Sequence, residues 1–418
     1  MAALRAIEDV VCPFCSLACD DLVIEAEGNA LRVARPACRV AEPEFARPAQ
    51  AVEPAIRGEP VALEAAIAHA ADLLAKLRLP LFGGLGTDVA GMRAVLDLAE
   101  RTGGIVDHAG SRGLMANLRT MQDGGWVTTT LAEVRNRADL VLFVGTDTGA
   151  VTPRLVERCL APQDTLFGRV TRELVYLGDG LQPADGIGAK VTALPCPPDR
   201  LAEVVAGLRA VLNGARLWAP SVAGLPVTAL EELARKLRGA RYALIVWAAG
   251  ELPGRHPELL VSSLGGLIRE FNATSRCAGL PLAGPDNVIG CNQVCGWQTG
   301  VPLRTGFAHG APDHDPLRWS GEALLRGGGA DGLVWLASLR DMPMPDVVLP
   351  TIALLRPGNT VPRAVDVLIP VGTPGLDHDG AVYRTDSVVS LPVRRLRETG
   401  LPSAADMLRG IAARLGGT

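Results

Sequence analysis

The sequence has little of what nucleic-acid-binding and membrane proteins need. Of the 41 basic residues only Lys76, Lys190 and Lys236 are lysines, and the formal net charge is −4. Without an excess of positive charge, we do not expect nucleic acid or an anionic membrane as a partner. No window approaches the roughly 18 uninterrupted apolar residues that cross a bilayer. The start of the chain, MAALRAIEDVVCPF, has no basic region, apolar run or twin arginine, so we predict a cytoplasmic protein.

The cysteine content does not indicate a disulfide-bonded scaffold. We expect the nine cysteines to be reduced in the cytoplasm, and therefore to bind metal or to be buried. The 418 residues are 48% apolar and 21% charged, which is enough material for two or three globular units.

Short apolar segments alternate with amphipathic ones over most of the chain. We predict strands at residues 80–86, 104–108, 138–147, 173–177, 241–250, 330–338, 346–350 and 364–372. We predict helices at residues 61–78, 91–103, 199–214, 229–240 and 258–272. This alternation indicates an α/β fold with doubly wound parallel sheets. Residues 282–316, rich in proline and glycine, are interpreted as a long irregular segment, and such segments tend to be functional.

Four cysteines near the amino terminus have the spacing C-x2-C-x3-C-x18-C: Cys12, Cys15, Cys19 and Cys38. Thiolates at this spacing can converge on one metal centre, and Cys38 would complete the set. Three interpretations stay open: a [4Fe-4S] cluster or a site descended from one, a structural zinc ion, or reduced thiols alone. A cluster suits the spacing best, because a zinc ribbon normally supplies two x2 pairs and this stretch has one.

The other five cysteines are interpreted as structural. Cys159, Cys196 and Cys277 are isolated, and we expect them to be buried as small apolar side chains. Cys291 and Cys295 lie four positions apart, but no nearby histidine or further cysteine completes a metal-binding set.

Several stretches resemble the large subunits of molybdenum and tungsten bis-pterin oxidoreductases, and most of all the B-type subunit of formylmethanofuran dehydrogenase. They are VCPFCSLACDDLVI (11–24), ADLVLFVGTD (138–147), GCNQVCGWQTGVP (290–302) and PVGTPGLDHDGAVYRTDSVVSLPV (370–393). The predicted division is a four-cysteine domain at 1–50, an α/β domain at 51–110 plus 281–418, and an inserted α/β domain at 111–280. In such enzymes a carboxyl-terminal β-barrel completes the cofactor cage, and we expect this chain to lack one.

The resemblance also implies the remains of a pterin site. Its residues would be Gly145, Thr146, Asp179, Asn292, Gln293, Thr299, Gly380 and Arg384. Relatives have an Asp-x-Arg sequence that handles a guanine nucleotide, and here Asp179 is kept while the arginine is missing.

The residues that bind the metal in that family are replaced in this sequence. A stretch of the type V-D-x5-C-H-G supplies a cysteine or selenocysteine ligand, and then a histidine that handles protons. The corresponding stretch, GGIVDHAGSRGLM (103–115), is two residues shorter and has Ser111 and Arg112 at those positions. Because a strand advances about 3.3 Å per residue, the shortening displaces the ligand by several ångströms. We assign no catalytic role to His108 or His378.

Three accounts of this replacement stay open. Ser111 could bind a metal, as serine does in some relatives, or other residues of the chain could catalyse. We favour the third account, in which Ser111 and Arg112 line an emptied cavity and this chain has no catalytic residue. The molybdopterin or tungstopterin is then expected to be absent.

On the favoured account the resemblance implies a structural subunit of a formyltransferase/hydrolase complex, such as methylotrophic bacteria have. That complex moves a formyl group from tetrahydromethanopterin to a methanofuran-type carrier and releases formate. Its other members would be amidohydrolase-like, formyltransferase and C-type subunits. The alternatives are an active tungsten or molybdenum bis-pterin dehydrogenase subunit, with Arg39 between cluster and pterin, and a scaffold that needs only zinc.

Overall fold

The computed structural model describes residues 4–182 and 188–415. The chain divides into two compact units, one made of residues 1–111 and 285–418 and the other of residues 112–284. Residues 1–50 are grouped with the first unit in this division, and a separate cysteine domain there stays a prediction. Within the described residues, no helix is both long and apolar enough to span a membrane.

A large mixed sheet forms the centre of the first unit. Among the described residues its nine strands follow the order Asp313–His314, Thr305–Gly306, Ile105–Val106, Pro80–Gly86, Gly332–Ala337, Thr351–Leu355, Val367–Pro370, Ala55–Ile56 and Glu59–Pro60. The strands from Ile105–Val106 to Val367–Pro370 run parallel. Because all seven residues of Pro80–Gly86 are buried, this strand is apolar throughout instead of alternating, as expected for a covered parallel strand.

Two smaller β structures and several helices complete the first unit. The strands are Arg5–Val10, Leu22–Glu27 and Ala30–Arg35 in an antiparallel sheet, and Gly380–Tyr383 with Ser390–Val393 in a hairpin. The helices are Ala41–Phe45, Leu63–Leu74, Val89–Thr102, Val288–Thr299, Gly321–Gly327 and Ala404–Arg414. Helix Val89–Thr102 begins at Asp88, whose carboxylate accepts from the Gly91 N–H, and ends at Gly103 with φ 64°, as capping residues require.

The second unit is built on a fully parallel sheet. In the described part of the chain its strand order is Lys190–Leu194, Glu173–Leu177, Leu140–Val144, Ala243–Trp247 and Cys277–Pro281. Its core contains apolar side chains of these strands and of the helices Leu201–Leu212, Val227–Gly239 and Pro257–Phe271. The remaining elements are helices Ser111–Gly124, Leu131–Arg137, Thr148–Val151, Val156–Leu160 (π) and Pro198–Arg200 (3-10), and the hairpins Asp164–Thr165 with Gly168–Arg169 and Ser221–Val222 with Leu225–Pro226.

The structure corrects two of the predicted elements. Residues 282–316 are not irregular throughout, because they contain the helix Val288–Thr299. Its buried residues include Val288, Cys291 and Cys295 at helical spacing, which the glycine-rich composition obscured. The predicted strand at 346–350 is wrong as well: the strand begins after Pro350, at Thr351–Leu355, and Val348 is 95% exposed.

Candidate functional site

The cysteine loop (residues 12–19) brings three of the four predicted ligands into a buried turn. Cys12, Cys15 and Cys19 are buried and Cys38 is partly exposed. The Cys12 N–H donates to the carbonyl of Cys19 at 2.8 Å, and the Ala18 N–H donates to that of Cys15 at 3.1 Å. These bonds turn the backbone back on itself, so Cys12, Cys15 and Cys19 lie on one compact loop.

The thiols influence one another electrostatically. Burial raises the pKa of Cys12 well above its usual range and that of Cys15 to about 12, and both rise further because of the other thiolates, including Cys38. The four groups are therefore neighbours, and Cys12 and Cys15 stay protonated at neutral pH unless a cation displaces their protons.

Within the described residues, no group of three or more histidine, cysteine or acidic side chains is placed to hold one metal ion. The thiolates of a cubane cluster bind different irons and need not converge on one point. Which species the four cysteines hold stays a prediction.

Arg340 is a basic residue that contacts the cysteine loop. Its guanidinium donates to the carbonyl of Phe14 at 3.3 Å, between the first two cysteines. Arg39, the basic residue singled out in the sequence, is exposed, and its role between cluster and pterin stays a prediction. The contact of Arg340 could not be found from the sequence, because 326 positions separate it from Phe14.

Ser111, which is predicted to replace the family's metal-binding residue, lies in a buried hydrogen-bond network. It begins the helix Ser111–Gly124 and is 2% exposed. Arg304 donates to the Ser111 hydroxyl oxygen from Nε at 3.3 Å and from a terminal nitrogen at 3.2 Å. A hydroxyl oxygen has two lone pairs that can accept hydrogen bonds, and the two N–H groups of Arg304 occupy both of them.

Asp107 completes this network as the partner of Arg304. One carboxylate oxygen lies 3.6 Å from Nε of Arg304 and accepts the Gly321 N–H at 2.7 Å. The other oxygen has no hydrogen-bond partner among the described residues. Burial raises the pKa of Asp107, and the Arg304 guanidinium opposes that rise. The Ser111 hydroxyl is thus bonded to a buried ion pair.

Arg112, which is predicted to replace the family's histidine, is exposed. It donates to the carbonyl of Gly254 at 2.6 Å, so its guanidinium is used within the second unit. A guanidinium is always protonated in proteins, and it therefore cannot take over the proton transfer of a histidine.

In the second unit, the predicted pterin-side residues lie where two neighbouring strands end. Gly145 follows Leu140–Val144 and has φ 57°. Gly178 lies beside it, since a Cβ added at Gly178 would be 3.4 Å from the Cα of Gly145. Thr146 is fully buried; its hydroxyl donates to the Val144 carbonyl and accepts from the Ala248 N–H. Asp179 is exposed and donates its N–H to the Cys196 carbonyl at 2.9 Å. Whether they contact a nucleotide stays a prediction.

In the first unit, three of the predicted residues lie on the helix Val288–Thr299. Asn292 accepts the Leu303 N–H at 3.1 Å, and Thr299 accepts the Val301 N–H at 3.2 Å. Gln293 is half-buried. The polar atoms of Asn292 and Thr299 thus stabilise the turn after the helix, which is a structural use of residues predicted to bind a pterin.

The last two predicted residues lie on the hairpin near the carboxyl terminus. Gly380 begins its first strand. Arg384 pairs with Asp386 at 3.3 Å, and its Nε is buried without a partner among the described residues. Within the stretch 370–393, Arg384 and Asp386 therefore interact with each other.

His108, three positions before Ser111, is held by hydrogen bonds at both ring nitrogens. The residue is buried, which lowers its pKa to about 4. Its Nδ1 accepts the Gly110 N–H at 2.8 Å, so the neutral ring donates from Nε2 to the Asp286 carbonyl at 3.1 Å. Both ring nitrogens of His108 therefore have hydrogen-bond partners within the fold.

The side chain of Asp286 is a feature that sequence reasoning missed. Burial raises its pKa to about 6, and the nearby Arg340 and Arg356 oppose the rise. Its Oδ1 has no partner among the described residues. Asp286 and Asn287 both have positive φ, at 60° and 57°, and the only signal in the sequence was an Asp-Asn pair, which tolerates that conformation.

Comparison with curated proteins finds relatives over most of the chain. It is 30% identical to the B-type subunit of the tungsten-containing formylmethanofuran dehydrogenase 2 of Methanocaldococcus jannaschii over 406 residues, 92% of each chain. It is also 30% identical to the B-type subunit of the formyltransferase/hydrolase complex Fhc of Methylorubrum extorquens over 365 residues, 86% of this chain and 96% of that one. No protein-family model matches the chain.

Comparison with solved structures finds the same group. The formyltransferase/hydrolase complex FhcABCD from Methylorubrum extorquens, solved with methylofuran, contains a chain that superposes with a TM-score of 0.76 at 31% identity, covering 87% of this chain and 98% of that one. Acetylene hydratase from Pelobacter acetylenicus superposes with a TM-score of 0.63 at 13% identity, covering 98% of this chain and 69% of that one. At that identity the second match shows a shared fold alone.

Proposed function

This chain belongs to the family of formylmethanofuran dehydrogenase B-type subunits, and from that premise we propose that it is a non-catalytic, structural subunit of a formyltransferase/hydrolase complex. Such a complex moves a formyl group from tetrahydromethanopterin to a methanofuran-type carrier and releases formate. The amidohydrolase-like and formyltransferase subunits carry out the chemistry, and a C-type subunit completes the assembly. Similarity to a chain of the complex solved with methylofuran supports this choice.

The network at Ser111 is the observation that carries the proposal. A metal ligand needs a free lone pair and, for serine, the loss of its proton. Here the oxygen accepts two N–H groups of Arg304, and a permanent guanidinium charge beside it repels a metal cation. Asp107 then balances that charge inside the protein. The residues at this position therefore do not fit a tungsten or molybdenum centre, and no redox step is assigned to them.

We further propose that residues 1–50 are a small cysteine-rich domain whose thiols hold a [4Fe-4S] cluster, and that the α/β body is doubly wound like other pterin-binding oxidoreductases. The mutual influence of the four thiols supports the first part. The order of the five parallel strands described in the second unit supports the second part, since the strands of a doubly wound sheet are placed on both sides of a central one.

The complex purified without oxygen tests the proposal. We expect no stoichiometric molybdenum or tungsten by elemental analysis and no oxidation of the formylated carrier by an artificial electron acceptor, while formyl transfer and hydrolysis proceed. Iron and sulfide in equal amounts identify a cluster, and zinc alone identifies a structural ion. A bound pterin with either metal and electron transfer to the acceptor would refute the structural assignment.

The second candidate is an active dehydrogenase subunit. Its support is the 30% identity to a subunit of a tungsten-containing enzyme over nearly the whole chain. A Ser111→Ala variant separates the two candidates: an active tungsten site with a serine ligand loses its oxidation activity, whereas a structural subunit keeps formyl transfer by the complex.

A further inference from the structure

Of the four predicted ligands, Cys38 is the one outside the cysteine loop, and a hairpin returns the chain to that loop. The strands Leu22–Glu27 and Ala30–Arg35 occupy most of the 18 residues between Cys19 and Cys38, and they pair antiparallel. The chain therefore enters and leaves this hairpin at the same end. Burial raises the pKa of Cys12, and the thiolate of Cys38 raises it further, as expected if the hairpin brings the fourth cysteine back to the first three.

A short helix directly after Cys38 fixes where that cysteine lies. The Cys38 carbonyl accepts the Glu42 N–H at 2.9 Å, at the start of the helix Ala41–Phe45. Its five residues are too few for a helix that is stable by itself, so contacts outside the helix must hold it. Phe45 supplies one of these contacts, because it is fully buried and packs edge-on against Phe14, with ring centroids 5.2 Å apart. The helix thus packs on the loop that carries the other three thiols.

Glu44 supplies the second contact of this helix, an ion pair with Arg356. The two side chains are 15% and 1% exposed, and their charged atoms lie 2.7 Å apart. Arg356 follows the strand Thr351–Leu355 of the large sheet. Its guanidinium also donates to a backbone carbonyl at 2.7 Å and to Asp341 at 3.1 Å. Because the arginine is held at several points beside the sheet, its bond to Glu44 fixes the helix to the body of the first unit.

A buried ion pair contributes little net stability, because removing both charges from water costs about as much as their attraction returns. A requirement for a defined geometry explains this pair better. We propose that Glu44 and Arg356 are positioning residues for Cys38, and that they hold its thiol where it can bind one iron of a [4Fe-4S] cluster. This inference rests on the cluster proposed above. Each thiolate of a cubane binds a different iron, so a displaced Cys38 would leave one iron without a protein ligand.

Reconstitution of the reduced full chain with ferrous iron and sulfide, without oxygen, tests this role. We expect a four-iron cluster in the unchanged protein, and in Cys38→Ala a three-iron cluster that gives an electron paramagnetic resonance signal when oxidised. Glu44→Gln should resemble Cys38→Ala. In a chelator titration it should hold the fourth iron about tenfold more weakly than the unchanged protein, as is usual when a group that orients a ligand is removed. The matched control Asp341→Asn changes the other, 53% exposed partner of Arg356 and should keep the four-iron cluster.

A second measurement does not need the cluster. In metal-free protein Glu44→Gln should release the helix, so iodoacetamide should modify Cys38 several-fold faster than in the unchanged protein, whereas Asp341→Asn should leave the rate as it is. Circular dichroism establishes that each variant is folded. A four-iron cluster in Glu44→Gln, or an unchanged rate at Cys38, would overturn the positioning role and leave the cluster proposal intact. If the unchanged protein takes up no iron, the cluster is refuted and the positioning role with it.

Discussion

The buried contact of Arg304 with Asp107 and Ser111 predicts a large, pH-dependent loss of stability when the arginine is removed. Methionine at position 304 keeps much of the volume of the side chain but removes its charge. Asp107, 6% exposed, would then keep the Gly321 N–H as its hydrogen-bond donor. Breaking a buried ion pair on one side costs about 3–5 kcal/mol. Because the pair is 3.6 Å apart, we expect the lower end, about 3 kcal/mol.

The sign of the pH dependence follows from the raised pKa of Asp107. Burial favours the protonated form in the folded state. The stability that this gives is fully present below the unfolded pKa of about 3.9, and it is lost as the pH rises through the folded pKa. Without Arg304, the group that opposes the rise is absent. In the Arg304→Met variant the pKa of folded Asp107 should therefore be higher, and stability should fall up to a higher pH than in the unchanged protein. The variant should be less stable at pH 8 than at pH 5.

Urea unfolding followed by circular dichroism at both pH values measures this effect. The matched control is Arg326→Met, since Arg326 and its partner Glu322 are 74% and 71% exposed and exposed pairs contribute little. Adding Asp107→Asn to Arg304→Met should restore part of the stability, because it removes the unpaired charge. If Arg304→Met costs no more than the control and shows no pH dependence, the described network does not stabilise the fold.

Three further predictions follow from burial and backbone conformation. In metal-free protein, burial raises the pKa of Cys15 to about 12, so iodoacetamide at pH 8 should modify the partly exposed Cys38 first in peptide mass spectrometry; equal rates would contradict this. Burial lowers the pKa of His108 to about 4. The neutral ring therefore contributes about 3 kcal/mol of stability above pH 6.5, and this contribution is lost as the pH falls toward 4. NMR should show that the ring is still neutral at pH 5.5. Gly84→Ala should lower the free energy of unfolding by at least about 2 kcal/mol, because φ is 74° and the new Cβ would lie 2.7 Å from the Leu336 carbonyl oxygen. Thermal unfolding measures this, and an unchanged midpoint would argue against it.

The elements that sequence reasoning predicted well are those whose local pattern and burial agree. Pro80–Gly86 and Glu173–Leu177 begin and end at the predicted residues, because a parallel strand covered on both faces is a nearly continuous apolar run. Helices such as Val227–Gly239 were found within a few residues of their ends from the spacing of their apolar residues.

The failures come from segments where local composition and tertiary packing disagree. DVVLPTIALL (346–355) has two apolar runs on either side of Pro350, and only the packed sheet decides that the second is the strand. The helix Ser111–Gly124 was not predicted, because its sequence combines glycine with many polar residues. In the site, Ser111 was found by resemblance, but its partner Arg304 is 193 positions away and no local pattern links them.

The buried thiols explain how the cysteine loop can persist whether or not it serves redox chemistry. Phe14, Leu17 and Ala18 are at most 2% exposed, so the loop between the cysteines is itself part of the core. Protonated thiols in such a place behave as small apolar side chains, and replacing them would leave cavities or bury polar groups. Their retention is therefore expected on packing grounds alone.

Ser111, unlike the cysteines, is not explained by apolar packing. A serine buried against a guanidinium is stabilised only if that arginine and its own carboxylate are all present, since each group alone would be a buried, unpaired polar atom. Ser111, Arg304 and Asp107 are all present and in contact. The three residues together therefore stabilise this part of the fold as one network, and for that reason the proposed structural role rests on Ser111 and its partners and not on the four cysteines.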